Sequence, residues 1–174
     1  MKNVVLIGFM GTGKSSCGKT AAQQLGYRFV DLDKEIEDKY GMNIPDMFQQ
    51  YGEQYFRQRE KEMVRHWADQ RNVVISTGGG TVKDAENVAV LKSTGKIICL
   101  TADVDTLLER TSRQGKRPVL DARAARLGGD RRKAIQSLLA ERQSMYDQAD
   151  YTVDTGELSP LQVAIKIAEY IKKF

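Results

Sequence analysis

Residues Gly8-Phe9-Met10-Gly11-Thr12-Gly13-Lys14-Ser15 fit the spacing GxxxxGK[ST], and they follow directly on Asn3 to Gly8, a short apolar run rich in β-branched residues. A pattern from Lys14 to about Leu25 reads as a helix that Gly26 stops. Buried strand, glycine-rich turn and helix in that order form a phosphate cradle. Its glycines let backbone N–H groups turn inward, and the helix N-terminus adds partial positive charge at the same point. Lys14 would reach the β- and γ-phosphates of a nucleotide, and the Ser15 hydroxyl would ligate Mg²⁺. This feature commits the chain to an α/β architecture, because a wholly apolar strand must be covered on both faces.

The rest of the chain agrees. Strand patterns recur at Arg28 to Val30, Val73 to Ser76, Lys96 to Ala102 and Asp150 to Asp154. Residues 34–70 read as helical in about three pieces divided at Gly41 and Gly52, with Pro45 near a helix start. Further helices are expected at about 84–93, 103–112 and 130–147, and from Ser159 and Pro160 to the C-terminus. The expectation is one α/β domain over 1–174, a P-loop fold with a parallel sheet flanked by helices.

Composition excludes more than it selects. The 27 Lys and Arg residues exceed the 23 Asp and Glu by a net charge of only +4, which suits anionic small molecules without implying nucleic acid. Only one histidine, His66, and two separated cysteines, Cys17 and Cys99, are present, which argues against a transition-metal site and for a reducing compartment. No apolar stretch has the length of a membrane span and the N-terminus enters a strand directly, so the expected location is the cytoplasm.

A GTPase would carry an NKxD-like guanine reader and a motor an acidic residue after the third strand. Here that strand runs into Thr77-Gly78-Gly79-Gly80. A phosphotransferase with a distinctive acceptor loop is the reading that remains. Three successive glycines suggest a sharp bend or a close approach to ligand, with backbone N–H groups offered to it; a plain loop is the alternative. Asp31 and Asp33 flank Leu32, and strand alternation would send both carboxylates into the crevice at the sheet edge. One would hold Mg²⁺, through water, and the other would take the proton of an acceptor hydroxyl; a solvated turn with a helix cap is the other reading. Arg57 and Glu60 are three apart on one helix, so they can pair and fix the guanidinium for a carboxylate. Phe48, Phe56, Met63 and Trp67 read mainly as core, although Phe48 or Phe56 would also suit a pocket wall. From Arg110 to Lys133 nine bases (Arg110, Arg113, Lys116, Arg117, Arg123, Arg126, Arg131, Arg132 and Lys133) face only Asp121 and Asp130. That stretch reads as a solvated basic surface, or as a mobile lid with flexible points at Gly115 and Gly128-Gly129 that brings an arginine onto the transferring phosphoryl group. It lacks the interleaved aromatics of a nucleic-acid patch.

Taken in order, GFMGTGKSS, DLD, FRQRE, STGGG, RPVL and Arg142-Gln-Ser-Met-Tyr146 followed by Ala149-Asp150 resemble the shikimate kinases over essentially the whole chain. Ser16 and Thr12 stand where Thr and Ala are more usual, and the segment from Arg117 to Arg142 is somewhat longer than typical. The resemblance implies a five-stranded parallel sheet, a helical substrate-binding insert at about 34–62, a lid at about 112–128, and a monomer. It implies ATP held by Gly11, Thr12, Gly13, Lys14, Ser15 and Ser16, with Arg110 near the adenine and Arg117 brought from the lid. It implies Mg²⁺ at Ser15 and Asp31. Asp33 would be the base, with Lys14 and Arg117 the other catalytic groups. Arg57, Arg142, Gly79 and Gly80 would bind shikimate, whose 3-hydroxyl accepts the γ-phosphoryl group on the route to chorismate and the aromatic amino acids. A kinase for gluconate or a nucleoside monophosphate is the alternative, and a module that only binds ATP is a further rival, against which the second carboxylate argues.

Overall fold

The computed structural model describes residues 2–113 and 117–174. Five parallel strands, β1 (Asn3–Gly8), β2 (Arg28–Asp31), β3 (Val73–Ser76), β4 (Gly95–Thr101) and β5 (Tyr151–Asp154), lie in the order β2-β3-β1-β4-β5. β1 is central and buried throughout because its neighbours β3 and β4 pair with it on both edges while helices cover both faces. Its side chains alternate accordingly: Val4 and Leu6 enter one apolar cluster, Val5 and Ile7 the other. Each such fully buried aliphatic contributes about 1.5–3 kcal/mol.

One face of the sheet is covered by α1 (Lys14–Leu25) and α9 (Pro160–Ile171). The other carries α2 (Leu32–Tyr40), α3 (Ile44–Tyr51), α4 (Glu53–Ala68), α5 (Ala85–Thr94), α6 (Val104–Arg113), α7 (Pro118–Arg126) and α8 (Arg131–Tyr146). Local chemistry sets the helix ends. Gly26 and Gly41 close α1 and α2 at φ of 69° and 62°, where a Cβ would be strained. Asn43 caps α3, and Ser159 with Gln162 forms both bonds of a capping box at α9, interactions worth about 1 kcal/mol each. Phe56, Met63 and Trp67 are core residues, and Phe48 is half-buried with its ring 4.9 Å from that of Phe56.

Register brings the chemistry to one edge. Asp31 lies opposite Ser76, and Ser76 opposite Leu6, so the loops after β1, β2 and β3 leave the sheet side by side. Two expectations need correction here. Asp33 is not on a strand: β2 ends at Asp31, whose carboxylate caps α2 by accepting the Lys34 N–H at 3.3 Å, and Asp33 stands in the first helical turn. The basic stretch also contains a helix that the sequence reading did not foresee, α7, with Leu120 and Ala124 buried one turn apart. Of the expected flexible points, Gly128 and Gly129 follow α7 with φ of 70° and 84°, while Gly115, like Lys116, lies outside the described residues.

Candidate active site

A cleft of about 870 Å³ opens at the carboxyl edge of the sheet. Its floor is the loop from Phe9 to Ser16, where Gly11 and Gly13 adopt φ of 84° and 87°. Those left-handed values are what turn successive amide groups inward, and they leave Ser15 and Ser16 exposed at the start of α1. Thr12 is buried and its hydroxyl donates to the Phe9 carbonyl at 2.7 Å, so its part is to shape the loop through its side chain. Lys14 Nζ donates to the Gly8 carbonyl at 2.5 Å. Burial, then the positive charge of Arg142, lowers the Lys14 ammonium to about 8, with Asp33, Cys99 and Asp31 pulling the other way.

Asp31 and Asp33 both line the cleft, although by a different route from strand alternation. A cap at the helix entry and a residue two further along in the first turn face the same opening. Burial, with Asp31, Glu60 and Glu37 nearby, pushes the Asp33 carboxyl up to about 6, against the pull of Lys14. A carboxylate at that value accepts a proton near neutrality far better than an ordinary aspartate.

The three glycines after β3 have a meaning that the sequence alone does not carry. None of them adopts a positive φ. A methyl group on Gly78 would lie 2.6 Å from Asp33 Oδ1, one on Gly80 would lie 2.6 Å from Arg57 Nη2, and one on Gly79 would meet Arg142 Nη2 at 3.7 Å. The absence of a Cβ at these positions lets three cleft-side groups, Asp33, Arg142 and Arg57, press against one stretch of backbone. The expected offering of backbone N–H groups fails at Gly78, whose N–H is taken by Thr81 Oγ1 at 3.2 Å.

Arg57 is held as its spacing predicts: Nη1 donates to Glu60 Oε1 at 2.9 Å, and Nε lies 3.5 Å from Glu53. Arg142 reaches the same region from α8, its guanidinium 5.4 Å from the centre of the Phe9 ring, with Tyr146 one turn on buried beside it. Arg110 lies in the cleft wall and braces it. Its Nη1 donates to the Gly11 carbonyl at 3.2 Å and to Thr155 Oγ1 at 3.0 Å, and its Nη2 to the Thr155 carbonyl at 3.0 Å. Arg117 lines the cleft at the start of α7, its backbone N–H held by Asp121 Oδ2 at 3.1 Å. Asp121 in turn accepts Arg131 Nη1 at 2.8 Å, which ties α7 to α8.

Residues that the sequence reading passed over also form the cleft, among them Glu37, Thr155, Leu158 and Pro160. Thr155 and Leu158 follow β5, and their position after the last strand of a parallel sheet was the available signal. For Mg²⁺ the donor set fits: the Ser15 hydroxyl and the Asp31 carboxylate face one cleft. Among the described residues no cluster of three or more His, Cys, Asp or Glu is arranged to cage a metal. An ion here would draw its remaining ligands from phosphate and water, as Mg²⁺ commonly does.

Known proteins match this chain along its length. The sequence profile of the family described as shikimate kinase matches residues 10–172. A protein of Persephonella marina named shikimate kinase is 41% identical over 99% of this chain and 100% of its own length. One of Pelotomaculum thermopropionicum with the same name is 43% identical over 99% and 97% respectively. The solved structure of shikimate kinase from Acinetobacter baumannii in complex with shikimate superposes with a TM-score of 0.86 at 34% identity, covering 99% of this chain and 94% of that one.

Proposed function

The chain belongs to the shikimate kinase family of phosphotransferases acting on a hydroxyl group, and from that premise we propose how its own residues move the γ-phosphoryl group of ATP to the 3-hydroxyl of shikimate. The observation that carries the reading is the placement of Asp33, Arg142 and Arg57 against the consecutive residues Gly78, Gly79 and Gly80, beside a P-loop. A proton acceptor and two cations that suit an organic anion are thereby brought next to a site for polyphosphate.

Gly11, Thr12, Gly13, Lys14, Ser15 and Ser16 hold the phosphates, and Arg110 lies near the adenine. Arg57 and Arg142 take the shikimate carboxylate, Arg57 kept rigid by Glu60, with Gly79 and Gly80 forming the wall between them. Asp33 accepts the proton of the 3-hydroxyl as that oxygen bonds to the γ-phosphorus. The bond from the γ-phosphorus to the bridging oxygen breaks, and its electron pair leaves with ADP. Lys14, and Arg117 from the lid (112–128), neutralise charge on the transferring group, where positioning and electrostatics do most of the catalysis. Mg²⁺, held by Ser15 and, through water, by Asp31, would supply further neutralisation of the phosphate oxygens. The helical insert (34–62) carries the acceptor side.

The same reading places the protein in the cytoplasm as a monomer. Its two buried, unpaired cysteines suit a reducing compartment, and no helix among the described residues is long and apolar enough to cross a membrane. The test is an ADP-release assay with shikimate, gluconate, CMP and AMP as acceptors and a control without acceptor. Release with shikimate alone is expected; release with CMP or gluconate instead, or none at all, overturns the reading.

A further inference from the structure

Thr81, the residue after the glycine loop, has no exposed surface. A hydroxyl is buried at a cost unless it is bonded, and this one is bonded on both sides. It donates to Glu60 Oε2 at 2.9 Å and accepts the Gly78 N–H at 3.2 Å. The Thr81 carbonyl accepts Asn87 Nδ2 at 2.9 Å, which anchors the residue to α5. Glu60 is itself only 2% exposed and gives its other oxygen to Arg57 Nη1. An unbroken chain of bonds therefore runs from Arg57 through Glu60 and Thr81 to the Gly78 amide, whose Cα backs on the Asp33 carboxylate.

We infer that Thr81 is a positioning residue that sets the geometry between the carboxylate clamp and the proton acceptor. Its hydroxyl fixes the rotation of the Glu60 carboxylate that aims Arg57, and the same oxygen holds the Gly78 backbone against Asp33. The inference rests on the roles proposed above for Arg57 and Asp33. What matters is direction rather than volume. Valine fills the same space but neither donates nor accepts, so it strands a buried carboxylate oxygen and a part-buried N–H together. Glu60 would then turn, and Arg57 would relax toward Glu53, the solvent-side partner already 3.5 Å from its Nε. The nucleotide side is held by other bonds, Lys14 to Gly8 and Arg110 to Gly11, so the effect should fall on one substrate.

The experiment is steady-state kinetics on the full chain, varying each substrate with the other saturating, with thermal melts of every variant. Thr81→Val is expected to raise the KM for shikimate about tenfold and to leave that for ATP within about twofold. Thr81→Ser, which restores the hydroxyl, should return the shikimate KM to within about twofold of the parent, and in an Arg57→Ala background Thr81→Val should add less than about twofold. If the valine variant does not fold, Thr81→Ala removes the same hydroxyl without the extra methyl and is read the same way. An unchanged shikimate KM, an equal rise for both substrates, or a serine variant as damaged as the valine one overturns the inference. Should Arg57→Ala itself leave the shikimate KM unaltered, it is the clamp that falls; should Arg57→Ala raise it and Thr81→Val not, only the role of Thr81 falls.

Discussion

Two glycine-rich loops leave adjacent strands, and they use the same residue for opposite reasons. After β1, Gly11 and Gly13 are present for their backbone: their φ values of 84° and 87° lie where any Cβ is strained, whatever space surrounds it. After β3, Gly78, Gly79 and Gly80 have no such φ, and what they provide is room for Asp33, Arg142 and Arg57. The first loop is made of main chain, and in the proposed reading it receives phosphate. The second is a narrow seat on which side chains made elsewhere are gathered. A glycine run is thus a statement about torsion in one place and about proximity in the other.

The largest expected contrast comes from the cations. Lys14→Ala should lower kcat about 10³-fold while barely changing the KM for shikimate, because in the proposed reading its charge acts on the transferring phosphoryl group. Equal damage to kcat and to the shikimate KM would erase the division between the two loops. Next come alanine substitutions in the second loop, which should follow proximity. Gly78→Ala displaces Asp33 and should cost about 10²-fold in kcat. Gly80→Ala displaces Arg57 and should raise the shikimate KM about tenfold, and Gly79→Ala, with its nearest contact at 3.7 Å, should change either constant by no more than about threefold. Gly13→Ala, which meets nothing closer than 3.5 Å, should nevertheless destabilise the fold by about 1–2 kcal/mol in denaturant titrations. Equal losses of activity across positions 78, 79 and 80 would contradict the seating argument.

pH sharpens the same comparison, since Lys14 belongs to the first loop and Asp33 lies against the second. In the free enzyme kcat/KM should fall about fivefold from pH 6 to pH 5, as burial and neighbouring carboxylates cause Asp33 to protonate at about 6. It should fall about fivefold again from pH 8 to pH 9, as Lys14, lowered to about 8 by burial and Arg142, loses its charge. The smallest effect is on stability. Because the folded Asp33 carboxyl holds its proton up to about 6 and the unfolded one only to about 3.8, the native state binds more protons over that interval, and stability falls as pH rises through it. Asp33→Asn should therefore stabilise the free protein by about 1–2 kcal/mol at pH 7.5, measured by chemical denaturation, and not at pH 3.5.

What the sequence disclosed divides along the same line. Torsion and periodicity are local, so β1, α1, the three helical pieces between Leu32 and Ala68, and the Arg57–Glu60 pair were legible from spacing. Asp33 was expected on a strand because three residues, Asp31-Leu32-Asp33, satisfy a two-residue period as well as they satisfy the first turn of a helix. The Asp31 cap decides between the two, and it is visible only once the Lys34 N–H is in place. α7 was hidden by its charges, although Pro118 at its first turn and the i, i+4 pair Leu120 and Ala124 were the available signs. Proximity is tertiary. Nothing near Gly78 in the chain announces Asp33, 45 residues earlier, and nothing near Thr81 announces Glu60, 21 residues earlier.

The Arg110 guanidinium carries a mechanical consequence. A single planar group joins the Gly11 carbonyl, 99 residues upstream, to Thr155, 45 residues downstream, and it is rooted in α6. Three stretches of chain that would otherwise fray independently are riveted into one cooperative patch. Their amide hydrogens should exchange with solvent in a common opening event, and a tug on the end of α6 should be felt at the floor of the cleft, at Gly11, before it is felt around Gly78 to Gly80.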